Sequence, residues 1–73
     1  MPRPRQIWKQ WFLDLGIPEP YATRYGNTFV DNHVDMTMVK LLNEGYLRAM
    51  GITIVGHVMR ILEKVRLVKE NGN

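Results

Sequence analysis

Two histidines, seven acidic residues, ten basic ones and three tyrosines are the titratable stock of this chain, which has no cysteine and no serine. His33 and His57 stand in different segments, without an adjacent carboxylate or a second ligand at metal spacing, so the sequence predicts no metal site. No nucleophile is set beside a base. Threonine, lysine, aspartate or glutamate could serve, but none sits in a recognisable setting. The stretch "GITIVG" is no phosphate loop, because the lysine and Ser/Thr that would follow its second glycine are missing. Trp8, Trp11, Tyr21, Tyr25 and Phe29 could stack on bases, yet aromatics at helical spacing in so short a chain are better used as core. The expectation is therefore a non-enzyme with no cofactor and no small-molecule substrate. What remains for function is surface charge and one oddly placed glycine, Gly56.

These residues must be positioned by a small scaffold. The 73 residues make one domain, with a core expected over about residues 6–69 and frayed ends that include Arg3 and Arg5. A chain of this size buries only about 60% of its unfolded surface. With no cysteine to add a disulfide or thiolate site, packing must supply the stability, and an intracellular, reducing setting fits. The apolar runs are short and no apolar h-region follows "MPRPRQIW", so neither a membrane span nor a signal peptide is expected. A formal charge of +3 is too mild to argue for nucleic acid by itself.

The apolar spacing is helical throughout. A first helix from about Arg5 to Leu15 carries Ile7, Trp8, Trp11, Phe12 and Leu15 and stops at Gly16. "PEP" suits the first turn of a second helix with Tyr21, Tyr25 and Phe29 inward, its latter half weakened by Gly26 and Asn27. Asp31 to His33 reads as a loop. Asp35 then caps a short third helix with Met38, Val39 and Leu42 inward, and Asn43 caps a fourth with Leu47 and Met50, closed by Gly51. Thr53 caps the longest, running to about Lys69, with Ile54, Val58, Ile61, Val65 and Val68 inward. "ENGN" reads as a helix stop and a disordered tail.

In this order, Trp11 followed by "FLDLGIPEPYATRY", then "FVDNHVDMTMVKLL", "NEGYLRAMGI" and a Gly-Ile turn leading into "GHVMRIL", the chain resembles the sterile alpha motif (SAM) domain from about Ile7 to Leu67. Within that family it looks most like the divergent members whose second and third helices are joined by "FVDN". It departs from the usual pattern at Met36, where a glycine is common, and at Val58, where a basic residue is usual. The resemblance implies an all-α, compact five-helix bundle with a long C-terminal helix. It also implies association with other SAM domains, through an end-helix surface on one molecule and an acidic mid-loop surface on the next.

Gly56 gains a meaning in that light. With Thr53 as cap it would be the third helical residue, and its missing side chain would let a partner approach the exposed amide end, where the dipole attracts carboxylates. The alternative is close packing against helix one inside the domain. The expected end-helix surface comprises Thr53, Ile54, Val55, Gly56, His57, Arg60 and Lys64. The mid-loop surface comprises Asp31, Asn32, Asp35 and Glu44, diluted by Lys40 and Arg48. The expected partner is a second copy, giving a head-to-tail polymer. A heterotypic adaptor would use one surface only, and RNA hairpin binding through Arg60, Lys64 and Arg48 is disfavoured by Val55 and Val58.

Overall fold

The computed structural model describes residues 3–72, and among them every regular element is helical: α1 (Pro4–Asp14), α2 (Tyr21–Asp31), a 3-10 helix (Met36–Leu41), α3 (Glu44–Ala49) and α4 (Val55–Gly72). Among the described residues no helix is long and apolar enough to cross a membrane. By contact density the chain divides between Val34 and Asp35 into two units.

The first unit is the α1–α2 hairpin. Pro4 opens α1, where its missing N–H costs nothing and its fixed φ suits the first turn. Trp8 and Phe12 are buried on this helix, while Trp11 and Leu15 are half-buried and Ile7 is exposed, so the inward stripe is narrower than expected. Phe12 and Phe29 meet edge-on at 5.0 Å between ring centres, and Trp8 stands edge-on to Phe29 at 4.8 Å. Such T-shaped pairs add to the area they bury. Far from weakening α2, Gly26 lets the helices close: a Cβ there would lie 3.1 Å from Lys9 N and 3.3 Å from Arg5 O, both backbone atoms of α1. Pro18 and Pro20 precede α2 instead of opening it, with the Glu19–Pro20 peptide cis. Glu19 accepts from both the N–H and the hydroxyl of Thr23, and these bonds hold its carboxyl below the usual glutamate range.

The second unit packs the 3-10 helix and α3 on α4. Asp35 and Asn43 cap as expected: Asp35 Oδ1 accepts from Thr37 N–H and Asn43 Oδ1 from Tyr46 N–H, each at 2.9 Å. The third helix is 3-10, so residues three apart eclipse and the segment has three rows. Val39 and Leu42 are the buried part of a row that exposed Met36 begins, and Thr37 and Lys40 form a polar one. Met38 shares the third with Leu41 and is exposed, contrary to the expectation that it faces inward. On α4, Val58, Ile61 and Val65 are buried and Val68 is half-buried.

The helix stops repeat one device. After α1, Gly16 N–H bonds Leu13 O and Ile17 N–H bonds Phe12 O; after α3, Gly51 N–H bonds Arg48 O and Ile52 N–H bonds Leu47 O. Both glycines have positive φ (89° and 84°), and both following isoleucines are buried. The same pair of bonds ends α2, His33 N–H to Val30 O and Val34 N–H to Phe29 O, but the left-handed residue is His33, at φ 58°. Asp31 is thus the last helical residue and Asn32 the cap, where a loop was expected. At the other end of the chain α4 does not stop near Lys69; helix continues through Glu70, Asn71 and Gly72, while Asn73, with Met1 and Pro2, lies outside the described residues. Arg66 bonds both Glu63 and Glu70, tying three successive turns.

Candidate interaction surfaces

The start of α4 lies one residue later than expected. Val58 N–H donates to Ile54 O at 3.0 Å, and because the cap residue's carbonyl accepts the first helical bond, Ile54 is the cap and Thr53 precedes it. Gly56 is therefore the second helical residue. It is exposed, and a Cβ built on it would meet nothing within 4 Å. Along α4, residues four apart form rows. Gly56, Arg60 and Lys64 make one, beside a row begun by Val55 and Met59, which are 62% and 65% exposed. His57 and Lys64 are half-buried, Arg60 is exposed, and Ile54 is exposed where an inward side chain was expected. The end of α4 thus offers an open helix start between cationic and apolar side chains.

The acidic residues are exposed but locally employed. Asp31 pairs with Arg5 at 2.9 Å, and Arg5 also donates to Asn27 Oδ1, so Arg5 belongs to α1 and not to a frayed tail. Asn32 donates its amide to Thr28 O. Asp35 caps the 3-10 helix, and Glu44 pairs with Arg48 at 2.8 Å across one turn of α3. Asp31 and Asn32 belong to the first unit, Asp35 and Glu44 to the second. From the sequence, Val55 is expected in the end-helix surface, but other apolar neighbours are missed: Met38 and Leu41 on the helix that Asp35 caps, and Met59 one turn on from Val55. Leu41 and Met59 carry a signal, as apolar residues outside the stripe expected to be buried, whereas Met38 is expected within that stripe. Among the described residues, no group of three or more His, Asp or Glu is placed to hold a metal ion.

The model of the SAM (sterile alpha motif) domain matches residues 4–72, spanning both units. The chain belongs to the SAM domain family. No solved structure matches it. The all-helical architecture with a long last helix agrees with that membership. SAM domains are protein-interaction modules, which fits a surface of capped helix ends and exposed apolar rows.

Proposed function

We propose that this SAM domain associates head to tail with other SAM domains, most simply with copies of itself, through the start of α4. The observation that carries the reading is the open space at Gly56, flanked by exposed Val55 and Met59 and continued by Arg60 and Lys64. A glycine that costs helix stability yet packs against nothing leaves room for a partner. Thr53, Ile54 and His57 complete this surface. The complementary contacts are Asp35 and Glu44 of the second unit, with Met38 and Leu41 as apolar contacts, and, separately, Asp31 and Asn32 of the first unit as polar contacts. Positive amide end and basic row on one side, carboxylates on the other, are opposite in sign and attract. Because the two surfaces differ, repetition gives an open polymer unless the rotation closes a ring. An intracellular setting belongs to this reading and rests on the cysteine-free sequence.

One observation favours a second reading, the one-sided adaptor. Asp31, Asp35 and Glu44 each already serve a local partner, whereas a side chain added at Gly56 would meet nothing within 4 Å. A chain with only the socket in use would bind a different SAM domain and stop there. Light scattering on Gly56→Asp and Asp35→Arg chains separates the readings. Under self-assembly each mutant alone stays monomeric and the mixture forms a dimer that grows no further. Folded mutants that still polymerise would place the contact elsewhere, and a parent chain monomeric at every concentration would leave the adaptor.

A further inference from the structure

The Arg5–Asp31 pair joins two charges that each stand at the wrong end of their own helix. Arg5 lies in the first turn of α1, where the dipole repels a cation, and Asp31 is the last residue of α2, where it repels an anion. Only across the hairpin do they offset each other: Arg5 Nη2 donates to Asp31 Oδ1 at 2.9 Å, and Nη1 reaches Asn27 Oδ1 at 3.2 Å. The close approach at Gly26 brings the helices within this reach. More than half of each side chain faces solvent, so another cation can compete for the same carboxylate.

We propose that Arg5 is an internal counterion that masks Asp31, so that a basic partner surface must displace it to use this corner of the domain. The inference rests on the head-to-tail reading, in which Asp31 meets the basic row of another copy's α4. Arg5 then lowers affinity and sets the concentration at which association begins. Losing Arg5 would uncover an anion at the negative end of α2, strengthening the local field toward a cationic visitor.

The test uses the Asp35→Arg chain, with its α4 end intact, as probe. It is titrated by calorimetry into Gly56→Asp chains carrying Arg5, Arg5→Ala or Arg5→Gln, the last retaining a polar stem if alanine disturbs α1. Both Arg5 variants should bind the probe about two- to fivefold more tightly, the range an exposed ion pair is worth, and with a steeper salt dependence. Adding Asp31→Asn to the same chains should erase the gain. Equal or weaker binding, or a gain that survives Asp31→Asn, overturns the masking role while the head-to-tail contact stands. If the probe binds none of the chains, the contact itself fails and the masking role falls with it.

Discussion

Gly26 and Gly56 are both helical glycines, and the structure assigns them opposite substitution effects. At Gly26 a methyl group would press on two backbone atoms of α1, which cannot yield without moving the helix. Gly26→Ala should therefore lower stability by about 1–3 kcal/mol, as overpacking does, despite alanine's better helix propensity. At Gly56 the methyl meets nothing, so Gly56→Ala should raise stability by about 0.5–1 kcal/mol. Thermal melts of the two variants decide both, since a 1 kcal/mol change moves the midpoint of such a domain by about 4–8 °C. A stabilised Gly56→Ala chain that associates less well would show that the glycine serves the partner. His33 supplies a third case. Replacing it by glycine at φ 58° should relieve a left-handed strain of about 1 kcal/mol, less glycine's own entropy cost, and a lower melting midpoint for His33→Gly would contradict that.

At the scale of elements, the aromatic hairpin and the last turns of α4 behave differently. Trp8 is 3% exposed and sits edge-on to Phe29, so Trp8→Ala should cost about 3–5 kcal/mol and Trp11→Ala, at a half-buried position, clearly less. Equal losses in parallel melts would contradict that ranking. In α4, the Arg66 donor holds the Glu63 carboxyl below its ordinary range. A lowered folded value means that the pair's contribution is complete above the free glutamate pKa of about 4.3 and is lost as pH falls through the lowered value. A carbon-detected NMR titration should place the Glu63 midpoint lower in the parent than in Arg66→Ala. Much of this architecture is legible in the sequence because short polar caps and glycines mark ends: Asp35, Asn43, Gly16 and Gly51 all act as their types suggest. The end of α2 is not, since a histidine fills the left-handed position that glycine marks elsewhere. Ile54 as cap is equally silent, having no side-chain acceptor to betray it. "ENGN" reads as a stop because glycine and asparagine are poor helix formers, whereas the helix there is carried on behind the Glu63–Arg66–Glu70 ties. For the candidate surfaces the charges could be read from the sequence. Which carboxylates already had partners, and which apolar residues stayed outside, depended on packing.

For the molecule as a whole, charge decides how association should respond to solution conditions. A contact between a cationic row and carboxylates weakens as the screening length contracts from about 10 Å at 0.1 M salt to about 3 Å at 1 M. If the chain self-associates head to tail as proposed, light scattering should report a falling mean mass with added salt, without reaching the monomer if Val55, Met59, Met38 and Leu41 share the interface. Full dissociation at modest salt would exclude those apolar residues from it. With a net charge of +3, RNA hairpins should bind only weakly and with a steep salt slope. Tight, sequence-selective RNA binding at physiological salt, in a gel shift, would instead favour the nucleic-acid alternative.

The eclipsed rows of Met36–Leu41 also govern how this segment can change in length. With three residues to a turn, removing or inserting a single residue turns everything beyond it by a third of a revolution. The interior row of Val39 and Leu42 would trade places with a polar or solvent-facing one. A gain or loss of three residues restores the phase. Natural variants of this segment should therefore differ in length by whole turns, and single-residue deletions made here should unfold the unit more readily than a three-residue deletion does.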